Sequence, residues 1–353
     1  MHLHPQGTIM RSFSITLTLI SICLFYLIMP QQGQAQTLGA DLSWVTEMEA
    51  KGYTWKDAQG KLGDPFAICK GLGMDGCRLR VWVNPPKGFC GKEDLIAKAK
   101  RAKAQGMKLF IDFHFSDSWA DPKKQPMPAA WASHDVAQLK KDIYDHVRDV
   151  LSALVAADCA PYLVQVGNET NDGLMWPIGK ASLHPENYAA FIMSGYEGVK
   201  SVIDVPVVVH LSNGWDNKLY RWNFDILEKY HAKYDMIGMS LYPGVNNWAE
   251  KVAQCKYNIQ DMKSRYGKDC ILAEVGLNSD AVAEGAKYMR AARGLTPDMY
   301  YWEPESYFFQ GYKKGAWDQA TSQPTAVLTE GYTGAIIPIE AKPVPERQPA
   351  SRP

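Results

Sequence analysis

The sequence lacks an excess of either charge: 38 lysines and arginines face 38 aspartates and glutamates. That balance leaves no basic face for nucleic acid and no long-range field to steer a charged partner, so no nucleic-acid partner is expected. C-x-x-C pairs are absent, and after residue 35 there is no H-x-H or H-x-x-x-H pair. The local spacings that build zinc sites are therefore missing, and neither a metal site nor a cofactor is expected. No G-x-G-x-x-G turn directly follows the first strand pattern, which argues against a dinucleotide-binding sheet. Beyond Met29 no apolar run approaches the length of a membrane span. What the chain does have is aromatic surface, with 11 Trp and 18 Tyr among 353 residues. Most of these belong in a core, and the remainder suit stacking.

Residues 1–35 read as a secretory signal peptide. Arg11 gives the positive start, Ser14 to Met29 is apolar, and Gly33-Gln34-Ala35 offers small residues for cleavage before Gln36. The mature chain is expected to be secreted, to the periplasm, the medium or the cell surface, and to act as a monomer. Cys23 would leave with the signal. Cys69, Cys77, Cys90, Cys159, Cys255 and Cys270 remain, an even set that permits disulfides but leaves their pairing open. No linker interrupts residues 36–335. Residues 336–353 carry Pro338, Pro343, Pro345, Pro349 and Pro353 among polar residues and read as a disordered tail.

Between these ends, short apolar runs alternate with amphipathic segments. Strands are expected at 39–43, 77–83, 107–113, 162–167, 205–211, 235–241, 270–275 and 299–302. Helices are expected from Asp64-Pro65, at 93–105, from Val136 to Leu154, at 185–201, near 224–232, at 248–266 and at 281–293. The clearest helix carries Val136, Leu139, Ile143, Val147, Val150, Leu151 and Leu154 at spacings of three and four. Eight strands mostly followed by helices predict an α/β fold, a single-domain (β/α)8 TIM barrel.

Chemistry in such a barrel belongs at the C-terminal ends of the strands. Those tips read Asp41, Arg80, His114, Asn168 with Glu169, His210, Tyr242, Glu274 and Trp302. Any one could be structural: a turn aspartate, a core ion pair, a satisfied buried histidine. Together they suit a sugar. Hydrolysis of a glycosidic bond needs one carboxylic acid to protonate the leaving oxygen and one carboxylate to attack or to activate water. Glu169 and Glu274 supply the two. Asn168 is placed to hydrogen-bond a sugar hydroxyl, Tyr242 to hold the second acid, and Trp302 to floor the ring. Trp82, Trp119 and Trp317 are further candidates for stacking along a cleft. Asn168-Glu169-Thr170 also matches an N-glycosylation pattern, but a glycan there would block the mouth, so the match is read as chance.

The chain resembles glycoside hydrolase family 53, the arabinogalactan endo-β-1,4-galactanases. The stretches that carry the resemblance are Gly39-Ala40-Asp41-Leu42-Ser43, Arg78-Leu79-Arg80-Val81-Trp82, Asp112-Phe113-His114-Phe115-Ser116-Asp117-Ser118-Trp119-Ala120-Asp121-Pro122, and Val166-Gly167-Asn168-Glu169. Later come Gly173-Leu174-Met175-Trp176-Pro177, His210-Leu211-Ser212-Asn213-Gly214-Trp215-Asp216, Ser240-Leu241-Tyr242-Pro243, Tyr301-Trp302-Glu303-Pro304 and Gly315-Ala316-Trp317-Asp318. The resemblance implies Glu169 as acid/base and Glu274 as nucleophile of a retaining reaction. It adds Asp117 to the substrate-binding set and implies a polysaccharide substrate, β-1,4-galactan. The chain departs from the family in Val275-Gly276-Leu277, in Gly244-Val245 and in Glu305-Ser306-Tyr307, which changes the cleft walls rather than the acids. Three alternatives are an endo-glycanase acting on mannan or xylan, a catalytically silent glycan-binding barrel, and a metal-dependent barrel enzyme. The pair of acids disfavours the second, and the absent histidine spacings disfavour the third.

Many bacterial members of that family carry calcium in a long loop after the seventh strand. Here only Leu277 to Pro297 separates the seventh strand from the eighth, and the expected helix takes most of it. Asp280 and Glu284, with Asn278 and Ser279, are too few for the six to eight oxygens calcium prefers. Thermal melts in EDTA and in calcium should therefore coincide. A rise of several degrees with calcium, lost on mutating Asp280, would overturn the expectation.

Overall fold

Runs such as Val207-Val208-Val209 have no polar alternation, so a strand built from them must be covered on both faces, as in a parallel sheet wrapped by helices. The computed structural model describes residues 1, 2 and 36–344 and forms that architecture. The expected signal peptide falls almost wholly outside the described residues, as do residues 345–353.

Eight parallel strands close into a barrel. They are β1 (Thr37–Asp41), β2 (Gly76–Val81), β3 (Lys108–Phe113), β4 (Leu163–Val166), β5 (Val207–Leu211), β6 (Met236–Leu241), β7 (Asp269–Val275) and β8 (Asp298–Trp302). Each pairs with the next in sequence, and β1 closes on β8 through Thr37 opposite Asp298 and Asp41 opposite Trp302. Around them lie α1 (Val45–Ala50), α2 (Pro65–Gly71), α3 (Lys92–Ala104), α4 (Val136–Ala156), α5 (Pro185–Lys200), α6 (Asn217–Lys229), α7 (Trp248–Tyr266), α8 (Val282–Ala292) and α9 (Ala326–Thr329). The fold expected from the sequence is thus the fold observed. Three small elements were not expected: α1, α9, and a hairpin pairing Trp55–Lys56 with Leu62–Gly63. Each is too short to leave a periodic pattern.

Local chemistry sets the helix starts. Asp64 Oδ1 accepts from Phe66 N–H at 2.9 Å with Pro65 in the first turn, and Asp135 accepts from Gln138 N–H at 2.8 Å. Helix α6 begins well before the expected 224, because Asp216 caps Leu219 N–H at 3.1 Å. Its first turn, Asn217-Lys218, is polar and hides the helix from an apolar-period reading. Helix α7 stops at Gly267, whose φ of +69° is the left-handed conformation that ends helices.

Two apolar regions result. The larger fills the space between barrel and helices, including the stripe Leu139, Ile143, Val147, Val150, Leu151 and Leu154 of α4. The smaller plugs the barrel itself with Phe110, Leu163, Val208, Ile271, Ala273 and Tyr300. The Tyr300 ring needs room that two glycines leave. A Cβ on Gly39 would stand 2.4 Å from Tyr300 Cδ1, and one on Gly76 would stand 2.8 Å from Tyr300 Cε1. The six cysteines are free thiols, all buried, and serve as small core residues.

The start of the segment expected to be a disordered tail is instead held against the barrel's outer helices. Ile337 N–H donates to Arg290 O at 3.2 Å, Lys256 Nζ to Ile339 O at 2.7 Å, and Lys342 N–H to Ala253 O at 3.0 Å. Ile337 and Ile339 pack on the core, which the proline-rich composition concealed. Among the described residues no helix is long and apolar enough to cross a membrane, and no group of three His, Cys, Asp or Glu could hold a metal ion.

The plug makes a packing prediction. Gly39→Ala should cost about 1–3 kcal/mol by overpacking against Tyr300. Combining it with Tyr300→Leu should cost less than the sum of the single changes, because the two share one clash. Urea melts of the three variants measure the difference, and strict additivity would show that Tyr300 is not what Gly39 accommodates.

Candidate active site

Above the apolar plug the barrel interior turns polar. Asp41, Arg78, Asp112, Gln165, His210 and Ser240 are all fully buried there. Arg78 sits at the centre. Its Nη1 donates to Asp41 Oδ2 at 2.7 Å, and its Nη2 lies 2.9 Å from Asp112 Oδ2 and 2.9 Å from Glu274 Oε1. The same nitrogen reaches Gln165 Oε1 and Asn168 Oδ1 at 3.1 Å. Burial alone would lower the Arg78 pKa, but Asp112, Glu274 and Asp41 raise it, so the guanidinium stays charged. Burial would likewise raise Asp112. Arg78 and His114, whose Nε2 is 2.9 Å from Asp112 Oδ2, hold it below the ordinary carboxylate range.

The β4 tip delivers Glu169 through a sharp turn. Gly167 has φ +82°, where a Cβ would meet Thr170 Cγ2 at 2.6 Å, and Glu169 itself has φ +45°. Gln125 pins this tip by donating to Asn168 O at 2.8 Å and to Glu169 O at 3.3 Å. Ser240 Oγ donates to Glu169 Oε1 at 2.7 Å, and His210 Nε2 stands 2.8 Å behind that hydroxyl. Burial and the Arg78 charge keep His210 neutral. From β7, Glu274 faces Arg78 on one oxygen and accepts from Tyr242 Oη on the other, at 2.9 Å. Burial keeps the Tyr242 phenol protonated, and the Glu274 charge adds to that effect.

The two acids line one cavity of about 600 Å³ with His114, Trp119, Ala120, Asp121, Lys123, Asn168, Tyr242, Trp302, Tyr312 and Lys314. That size is in the range of ligand clefts. Burial pushes both glutamates above the ordinary carboxylate range. Ser240 and Arg78 oppose the rise at Glu169; Arg78 opposes and the Glu169 charge reinforces it at Glu274. Glu169 is pushed up to about 7 and Glu274 to about 8, so these shifts do not by themselves place the proton on Glu169. Glu274 has the guanidinium and the phenol as donors, whereas Glu169 has one hydroxyl and faces the charge of Asp121. Those contacts favour the charge on Glu274 and the proton on Glu169, against burial and the charges of Glu169, Asp112 and Asp41, which push Glu274 up.

Seven of the twelve residues expected at the site line the cavity: Glu169, Glu274, His114, Trp119, Asn168, Tyr242 and Trp302. The other five do not line it. Asp41 is fully buried, held by Arg78 and by Ser43 Oγ at 2.5 Å. His210 lies behind Ser240. Asp117 caps its loop, accepting from Asn84 N–H at 2.9 Å and Ala129 N–H at 2.8 Å. Trp317 is buried with Nε1 on Lys56 O at 3.2 Å. Arg80 is fully buried, ion-paired with Glu303, and its guanidinium carbon stands 4.2 Å from the Trp119 ring centre, 5.5 Å from Trp44 and Trp82, and 5.9 Å from Trp302. It braces the aromatic wall from behind rather than touching a ligand. Arg78, two residues earlier, is the arginine at the acids. Asp112, Gln165, Ser240, Tyr312 and Lys314 were also missed. Ser240 could have been found two residues before Tyr242 on the same strand face; Tyr312 and Lys314 lie in irregular chain after β8 and leave no periodic signal.

Residues 37–293 match the family described as Glycosyl hydrolase family 53. The chain is 35% identical over 244 residues to a probable arabinogalactan endo-β-1,4-galactanase A of Aspergillus terreus, covering 67% of this chain and 69% of that protein. It is 35% identical over 243 residues to the arabinogalactan endo-β-1,4-galactanase of Thermothelomyces thermophilus, covering 67% and 72%. A solved structure from a study of two fungal β-1,4-galactanases superposes with a TM-score of 0.74 at 27% identity, over 84% of this chain and 99% of that one.

The Ser240 contact yields a pH prediction with a definite sign. Its hydroxyl favours ionised Glu169, against burial. Removing it leaves Glu169 protonated to higher pH. Ser240→Ala should move the alkaline limb of the kcat/KM profile upward by about half to one pH unit, since a hydrogen bond to a charged group is worth roughly 1.5 kcal/mol or more. A downward shift would show that the hydroxyl instead favours the protonated acid.

Proposed function

The chain belongs to glycosyl hydrolase family 53, and on that footing we propose that it is a retaining endo-β-1,4-galactanase acting on galactan of the arabinogalactan type. The observation that carries the reading is the pair of buried acids in one cavity, made unlike by their partners. Glu274, ionised against Arg78 and oriented by Tyr242, attacks the anomeric carbon. Glu169 gives its proton to the departing glycosidic oxygen. A glycosyl ester on Glu274 results, and the shortened chain leaves with a free hydroxyl. Glu169, now a carboxylate, takes a proton from water, which attacks the same carbon and frees Glu274. Two displacements restore the original anomer.

Trp302 and Trp119 offer apolar faces to the sugar rings, and a cavity that opens to the surface suits attack within a polymer. The names of the related proteins support galactan over other β-1,4-glycans. We further propose that the protein is exported through residues 1–35 and works as a monomer.

Glu169→Gln and Glu274→Gln should each lower kcat on galactan by at least about 10²-fold while the melting transition is kept. Azide should revive Glu274→Gly with an inverted product, because the small anion replaces the missing nucleophile. Rescue of a Glu169 variant by azide with retention, and none at Glu274, would exchange the two roles. Early products should be oligosaccharides; galactose alone would mean attack from a chain end.

A further inference from the structure

The charges that line the cleft are unevenly partnered. Glu274 is paired with Arg78, Glu169 with Ser240, and Asp121 Oδ1 accepts from Lys123 N–H at 2.8 Å. The two ammonium groups, Lys123 and Lys314, have no carboxylate partner among the described residues. Lys123 is exposed and keeps its water. Lys314 is half-buried, and its Nζ has only Asn278 Oδ1, at 3.4 Å.

The backbone of Lys314 is fixed. Tyr301 Oη donates to Lys314 O at 2.8 Å, and Ser279 N–H donates to Lys313 O at 2.9 Å. Lys314 Cβ stands 3.4 Å from where a Cβ on Gly276 would lie, a position that also abuts Tyr242 and Tyr312. The stem of Lys314 therefore rises from the wall that carries the partner of Glu274. Burial lowers the Lys314 pKa, and no acidic group offsets this. A cation partly stripped of water, lining the cleft and without a carboxylate partner among the described residues, is completed best by an anion on the ligand. A neutral hydroxyl offers only a dipole.

We infer that Lys314 forms a subsite for a sugar carboxylate, so that the preferred substrate is a β-galactan carrying a uronate beside the cleaved bond. The inference rests on the galactanase reading for the identity of the neutral sugars.

The test uses β-1,4-galactotetraose and its isomers in which one galactose carries a 6-carboxylate. Binding to the full-length Glu169→Gln protein is followed by calorimetry at low salt. At least one isomer should bind about twofold to fivefold more tightly than the neutral parent, the range of a partly exposed ion pair, and added salt should narrow the gap. In the same background Lys314→Met should bring that ratio close to one, and Lys314→Arg should keep most of it. Thermal melts confirm that the variants are folded. Equal binding of all isomers, a preference that survives Lys314→Met, or a preference only for a 6-sulfate analogue would overturn the inference. Failure of the wild-type protein to cut neutral galactan would overturn the galactanase reading instead, while the binding ratio still reports on Lys314 alone.

Discussion

The constraint on which the site depends is one buried guanidinium among three carboxylates. Asp41, Asp112 and Glu274 converge on Arg78 in the mouth of the barrel, where water is largely excluded. Without a cation there, burial and mutual repulsion would protonate the acids, and no nucleophile would remain. With it, Asp112 is held ionised and can orient His114, and the rise that burial imposes on Glu274 is opposed. The remaining acid, Glu169, lacks that ion pair and has Ser240 instead, so one charge makes the surroundings of two chemically identical side chains unlike.

Arg78 can occupy that place because the barrel interior is layered. Tyr300 and its apolar neighbours close the lower half, with Gly39 and Gly76 bare so that the ring can enter. Water cannot reach the guanidinium from below. The upper layer then satisfies it with side chains, although Arg78 Nε stays without a partner. A second buried arginine does structural work nearby. Arg80 pairs with Glu303 and stands behind Trp119, Trp44, Trp82 and Trp302, whose rings also meet edge to face, with Trp44 4.9 Å from Trp302 and Trp82 5.2 Å from Trp119. The aromatic wall thus has a charge packed against its back.

The strand tips are also where the backbone departs from its easy conformations. Glu169 at φ +45° and Glu303 at φ +46° are left-handed without being glycine. Each is held by its surroundings: Glu169 by Gln125 and Ser240, Glu303 by Arg80 and by Trp44 N–H at 3.0 Å. Such conformations persist only where neighbouring contacts outweigh them, and they occur here at a cavity-lining glutamate and beside Trp302.

The sequence by itself determined the barrel, the strand order and the two acids. Continuous apolar runs can only be strands covered on both faces, and a run ending in Gly-Asn-Glu or Ala-Glu delivers its carboxylate to the mouth. It also determined Tyr242 and Trp302 as members of the same mouth. It could not choose between Arg78 and Arg80. Residues two apart on a strand point to the same side, so both arginines face inward. Only the stagger of the closed barrel turns the first to Glu274 and the second to the tryptophans. The sequence also placed His210, Asp117 and Trp317 at the cleft, whereas the fold sets His210 behind Ser240 and engages Asp117 and Trp317 in holding loops. Lys314 lies in irregular chain between β8 and α9, where no period exists to read. Its place beside the acids is decided by Tyr301 and Ser279, residues far from it in sequence and adjacent only once the barrel has closed.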